Sequence, residues 1–276
     1  LGPGRNRMTR VVVSRAAGGL AAYLVANAVP GDELRVVIGF DARRNSDVFA
    51  RDTARIMAGA GITAMVLPSA LPTPVLAFAI RELSCAAGVM VTASHNPPDD
   101  NGYKVYLGDG SQIVPPADAE IAACIAAVGA MASIPQSDDF QVLGDAVLNA
   151  YLARAVSLLG DGPREVSAVY TAMHGVGGAV FMRAVARAGF STPTAVAAQF
   201  APDGRFPTVS FPNPEEPGAM DLSLADARAQ GADVIIANDP DADRCAAGIP
   251  DAGDYRMLTG DEVGALLGWW IAERGR

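Results

Sequence analysis

The chain has 276 residues, half of them apolar, and a formal net charge of −9. That length accommodates two domains with sizeable cores. The acidic balance argues against a nucleic-acid partner, which leaves a basic footprint, although a phosphorylated small substrate stays compatible because a local site can be basic on an acidic protein.

At the N-terminus, Arg5, Arg7 and Arg10 precede the apolar stretch VVVSRAAGGLAAYLVANAV. This looks superficially like a signal peptide, but Arg15 interrupts it and the Ala/Leu pattern suits an amphipathic helix over Met8 to Ala28. LRVVIGF, from Leu34 to Phe40, reads as a buried strand. Ser46 to Ala60 reads as a helix with Ser46 as its N-cap. ITAMVLP is the next strand. TPVLAFAIREL is a helix, with Thr73 as a cap-like residue and Pro74 at the first helical position. AAGVMVT is another buried strand, and YKVYL is a short strand, antiparallel at a sheet edge. The most membrane-like segment, Ile121 to Ile134, is shorter than the roughly 20 residues a spanning helix requires. Three scattered cysteines, Cys85, Cys124 and Cys245, include no C-x-x-C pair and support neither a zinc site nor a disulfide framework. A cytoplasmic protein with no membrane partner is expected.

Ser133 to Gly144 is polar, lacks periodicity and reads as the approach to a domain boundary. A bridging helix over Ala146 to Leu159 follows. The pattern then restarts: strand VSAVYTAM, a helix after Gly178, strand TPTAVAAQ, a proline-rich loop from Phe206 to Pro217, a helix over Asp221 to Gln230 and strand ADVIIAN. A last helix runs around Asp261 to Glu273. Strand-helix alternation of this kind indicates layered α/β domains with mainly parallel sheets.

In open α/β sheets, ligands gather at the carboxyl ends of strands. Three polar loops fall at such ends, Ala93 to Gly102, Thr171 to Gly178 and Asn238 to Arg244, and are expected to face one cleft. In NDPDADR, Asp239, Asp241 and Asp243 alternate along a tight turn. Crowded carboxylates repel unless a cation neutralises them, and Mg²⁺ takes oxygen ligands. An EF-hand is excluded, because its sixth and twelfth positions would be Arg244 and Pro250 rather than Gly and Glu. A solvated acidic turn is the alternative. Arg244 either pairs with these carboxylates or binds an incoming phosphate oxygen.

Ser94 and His95 end a buried strand. The hydrolase elbow G-x-S-x-G is absent, since Thr92 and Asn96 flank the pair. A triad with His174 is conceivable but no spacing certifies it, and a serine at a strand end often serves only as a cap or turn residue. The turn Pro97 to Gly102 returns Lys104 toward the strand end, as a proton carrier, a phosphate contact or a surface lysine. TAMHGVGG either presents backbone N–H groups to an anion or forms a tight turn. Asp41, Arg43 and Arg44 in GFDARRNS fit local capping and pairing as well as substrate binding.

Taken together, TASHNP after a buried strand and DPDADR, 145 residues further on from Ser94 to Asp239, resemble the α-D-phosphohexomutase family of phosphoglucomutases and phosphomannomutases. NGYKVY, TAMHGVG and FPTVSFPNPEEP fit the same resemblance, which covers nearly the whole chain and looks most like the branch of bacterial phospho-sugar mutases and phosphopentomutase-like enzymes. It implies two consecutive three-layer α/β/α domains with mixed, mainly parallel sheets, over 1–145 and 146–254, with 255–276 starting a third. It implies further that Ser94 carries a phosphoryl group and that Asp239, Asp241 and Asp243 hold one Mg²⁺ that also touches the phosphate on Ser94. His95 and Lys104 would lie around the reacting oxygens, with Lys104 the better general acid/base, and Arg244 would orient the phosphate. A sugar 1,6-bisphosphate would be the intermediate and activator.

Members of that family begin with an F-G-T-x-G-x-R-G-like segment and carry third and fourth domains, which this sequence does not display. The expectation is a phosphoserine and metal half-site with little mutase turnover. A Mg²⁺-dependent phosphatase, a serine hydrolase and a non-catalytic remnant are the rival readings.

Overall fold

A computed structural model describes residues 7–274; the opening LGPGRN stretch, with Arg5, and the last two residues, with Arg276, lie outside the described residues. The chain forms two compact units, one through Arg154 and one from Ala155.

The first unit runs α1 (Arg10–Ala26), β1 (Arg35–Phe40), α2 (Ser46–Gly59), β2 (Thr63–Val66), α3 (Thr73–Glu82), β3 (Ala87–Val91), β4 (Lys104–Leu107), α4 (Ala117–Ala127) and β5 (Gln141–Val142), with α5 (Ala146–Ser157) spanning the division. The sheet order is β4-β3-β1-β2-β5. β1 pairs parallel with β2 and β3, β5 adds parallel to β2, and β4 is the antiparallel edge expected from YKVYL. Successive strand side chains point to opposite faces. Val36 and Ile38 of β1 therefore join Leu20, Phe49 and Met57 of α1 and α2 in one core. On the other face, Gly39 lies against Leu76 and Gly88 lies against Ile80, both from α3. Burial on both faces explains why these strands read as continuous apolar runs. Helix α1 also meets α4 closely: a Cβ on Gly19 would stand 2.5 Å from the Ile125 Cα.

The second unit contains β6 (Ala168–Thr171), α6 (Gly177–Arg187), β7 (Thr194–Ala195), α7 (Ala197–Phe200), α8 (Asp221–Gln230), β8 (Val234–Asn238), β9 (Cys245–Asp251), β10 (Asp254–Met257) and α9 (Gly260–Arg274). The sheet order is β10-β9-β8-β6-β7, with β6 parallel to β7 and β8, and β9 antiparallel to β8 and β10. Val169 and Ile235 face Ala227 of α8 in the core. Tyr170, on the opposite face, stacks on Phe181 of α6 at 4.0 Å between ring centroids. Both units are α/β with mixed sheets.

Several local expectations are corrected. Ser46 is the first residue of α2 rather than its N-cap; Asn45 caps it in the left-handed region at φ 65°, and the Ser46 hydroxyl instead donates to Asp41. Pro72 caps α3, so Thr73 is already helical and Pro74 sits second. The polar segment after Ser133 supplies β5 to the first sheet. TPTAVAAQ is strand only at Thr194–Ala195 and then turns helical, consistent with its Ala-rich end. The hairpin of β9 and β10 is an addition, because Gly248 and Pro250 give CAAGIPD the look of a loop. Among the described residues, no helix is long and apolar enough to cross a membrane. The three cysteines are free thiols.

Candidate active site

In the first unit, β3 ends at Val91 and the polar loop begins. The Thr92 N–H donates to the Gly102 carbonyl at 3.1 Å, which closes the loop at its base. Ser94 sits in the left-handed region at φ 51° and is buried. L-residues other than Asn and Asp enter that region at a cost of order 1–2 kcal/mol, so the surroundings must hold it. The Ser94 N–H donates to the Thr92 hydroxyl oxygen at 2.9 Å, and the Thr92 hydroxyl donates to Asp41 Oδ2 at 2.7 Å. The Asp41 carboxylate also accepts from the Ser46 hydroxyl at 2.7 Å and the Arg43 N–H at 3.0 Å. Burial pushes the Asp41 carboxyl up, while Ser46, Arg43 and Thr92 pull it down.

His95 is half-buried and its Nδ1 lies 3.4 Å from Ser94 Oγ, a loose contact. Lys104 opens β4 opposite Met90. The return of the chain thus brings Lys104 to the strand that delivers Ser94, as the turn residues suggested.

In the second unit, the acidic loop follows β8. One carboxylate oxygen from each of Asp239, Asp241 and Asp243 lies within 4.8 Å of the others. Asp239 and Asp241 are buried and Asp243 is exposed. An all-oxygen donor set of this kind could hold a hard cation. The turn is held from inside: the Ala242 N–H donates to the Asp239 carbonyl at 2.9 Å, and the Arg244 N–H donates to Asp239 Oδ1 at 3.1 Å. Asn238 donates its side-chain amide to the Arg244 carbonyl at 2.7 Å and accepts from the Tyr170 hydroxyl at 2.9 Å. The Arg244 side chain is exposed beside this turn.

The glycine turn after β6 belongs to the same construction. The Val176 N–H donates to the Pro240 carbonyl at 2.8 Å, and a Cβ on Gly175 would stand 2.3 Å from the Pro240 Cα. Here TAMHGVGG supports the acidic loop. His174 is engaged locally as well: its Nε2 lies 2.8 Å from the Thr208 Oγ1, and Gln199 donates to that same hydroxyl at 2.9 Å. Burial pushes the His174 imidazole down, and Asp203 opposes that shift. The structure thus places Ser94 and His95 in one loop of the first unit, with Lys104 on the strand that leaves that loop, and Asp239, Asp241, Asp243 and Arg244 in one loop of the second.

Asp41, Arg43, Thr92 and Gln199 are the supporting residues that motif reading leaves unassigned. For Asp41 and Arg43 the signal was the D-x-R after a strand, which left local pairing and substrate binding equally open. Gln199 carried no signal, lying in a segment that reads as strand.

Two consecutive α/β/α units, one ending a parallel strand in a serine loop and the other in an acidic loop, define a tandem α/β/α protein with polar loops at its strand ends. Comparison with known proteins narrows this class. Residues 3–131 match Phosphoglucomutase/phosphomannomutase, alpha/beta/alpha domain I, and residues 149–252 match domain II of the same description. The chain belongs to the phosphoglucomutase/phosphomannomutase family. It is 55% identical over 273 residues to a Haemophilus influenzae protein named "Probable phosphomannomutase", covering 97% of this chain and 56% of that protein. It is 36% identical to the human phosphopentomutase, over 98% of this chain and 47% of the relative. A Burkholderia thailandensis phosphoglucomutase/phosphomannomutase family protein shares the fold, with a TM-score of 0.81 at 23% identity, over all of this chain and 57% of the other. The chain spans about half the length of the curated relatives it matches.

Proposed function

We propose that the chain is part of a phospho-sugar mutase that interconverts a hexose or pentose 1-phosphate with the corresponding 6- or 5-phosphate. The observation that carries the reading is the acidic cluster: three carboxylate oxygens within 4.8 Å at a strand end, in a chain of this family. Ser94 is the phosphoryl carrier, and Asp239, Asp241 and Asp243 would hold Mg²⁺. The ion supplies charge neutralisation for a phosphoryl group in transfer.

The remaining chemistry falls to side chains. Phosphoryl transfer needs positioning and electrostatic stabilisation more than covalent strategy. The phosphoryl group leaves the Ser94 oxygen for a sugar hydroxyl; the bond from phosphorus to Ser94 breaks as that to the sugar forms. Lys104, or His95 in its place, takes the proton of the attacking hydroxyl and delivers it to the Ser94 oxygen as the phosphoryl group departs. The resulting bisphosphate returns its other phosphoryl group to Ser94, and the serine proton passes back by the same residues. Arg244 orients the phosphate through its planar fork.

We assign 1–145 to the first domain, 146–254 to the second and 255–276 to the start of a third. The substrate is a phosphorylated sugar in the cytoplasm. The test is transfer of radiolabelled phosphate from glucose 1,6-bisphosphate. Label retained on the protein and returned to added glucose 6-phosphate supports the mutase reading. Label released only as inorganic phosphate makes the protein a phosphatase.

A further inference from the structure

The geometry points to Arg43 as a positioning residue for Ser94, acting with Asp41; this rests on the reading of Ser94 as the phosphoryl carrier. The Arg43 Nη2 donates to the carbonyls of Ser94 and Asn96, each at 2.6 Å. Its Nη1 donates to those of Pro97 at 2.7 Å and Asp100 at 3.1 Å. One guanidinium therefore gathers four carbonyls of a loop that lacks regular secondary structure. Arg43 Nε lies 3.3 Å from Asp41 Oδ2, and each of these side chains is only 1% exposed. The other side of Ser94 returns to the same pair, since its N–H reaches Asp41 through the Thr92 hydroxyl. Both peptide groups flanking the Ser94 Cα are thus anchored to one buried ion pair while its φ stays at 51°.

This enclosure keeps Arg43 away from substrate, so its effect passes through Ser94. A lysine offers a point charge with three donors and cannot reproduce the planar fork. Misplacement of a reacting atom by about 1 Å costs on the order of 100-fold in rate.

The test is the rate of phosphoryl transfer from glucose 1,6-bisphosphate to Ser94 with Mg²⁺, followed by intact mass over a range of donor concentrations. Arg43→Met is expected to lower the saturating rate about 100-fold with the half-saturating donor concentration unchanged, and Arg43→Lys to fall between it and the wild type. Thr92→Val, which removes the other anchor at nearly constant volume, is expected to slow the same step several-fold, and carries the test if Arg43→Met does not fold. Leu24→Ala, on the buried face of α1, is the control for lost stability and is expected to keep the wild-type rate. Wild-type protein that takes no phosphate on Ser94 overturns the phosphoserine reading and this inference together. Wild-type protein that is labelled while folded Arg43→Lys and Thr92→Val react at its rate, or while Leu24→Ala slows equally, overturns the inference alone.

Discussion

Gly175 lies against Pro240: a Cβ at position 175 would stand 2.3 Å from the Pro240 Cα and 2.4 Å from its carbonyl oxygen. The glycine turn after β6 and the acidic loop after β8 are packed backbone to backbone, and the shape of one depends on the other. Gly175→Ala is expected to destabilise the second unit by about 1–3 kcal/mol, the usual cost of overpacking, and to weaken Mg²⁺ binding with it. Urea denaturation and Mg²⁺ calorimetry on the same variant check both. Unchanged metal affinity would detach the glycine turn from the site.

Mg²⁺ at about 100 times its dissociation constant is expected to add about 2.7 kcal/mol of stability. Asp241→Asn is expected to weaken Mg²⁺ binding at least tenfold. Thermal melts with and without Mg²⁺ test this. An equal Mg²⁺ response in the variant would contradict the ligand assignment.

Gly19 sets two effects against each other. Alanine there gains roughly 1 kcal/mol of helix propensity, but its Cβ would meet the backbone of Ile125 in α4 at 2.5 Å. Backbone cannot rotate aside as a side chain can, so overpacking of about 1–3 kcal/mol should prevail. Gly19→Ala is expected to lower the melting temperature of the first unit. A rise would show that α1 and α4 part readily.

His174 bears on pH. Burial depresses its imidazole in the folded state, so between the folded value and the unfolded one near 6.5 the unfolded chain holds the extra proton. Stability is therefore expected to fall as pH drops below about 6.5 and to level off below the folded value. His174→Gln, able to keep a hydrogen bond to Thr208, should reduce that loss. Urea midpoints at pH 7.5 and 5.5 for both proteins check the sign, and an identical loss in the two would remove His174 as a source.

Much of this arrangement is legible in the sequence for a physical reason. Strands buried on both faces read as unbroken apolar runs, as in VVIGF and GVMV, and α8 is bounded as expected at Asp221 and Gln230. The hairpin at Cys245–Met257 is less legible, because Gly248 and Pro250 depress strand propensity while neighbouring strands impose the pairing. Its one signal was the Ala252-Gly253 turn, where both residues have positive φ. Side chains likewise divide into two kinds. Ser94 and the aspartates stand out because their residue types at strand ends suggest chemistry. Arg43 does not, since its effect lies in reaching four carbonyls 51 to 57 residues away, a long-range closure that local pattern does not encode.

The phosphoryl group is proposed to reside on Ser94. Incubation of the protein with glucose 1,6-bisphosphate and Mg²⁺, followed by intact mass and peptide mapping, tests it most directly. One phosphoryl group on the peptide containing Ser94, absent from Ser94→Ala and lost again on adding glucose 6-phosphate, is the predicted result. An unmodified Ser94, or phosphate on another residue, would contradict it.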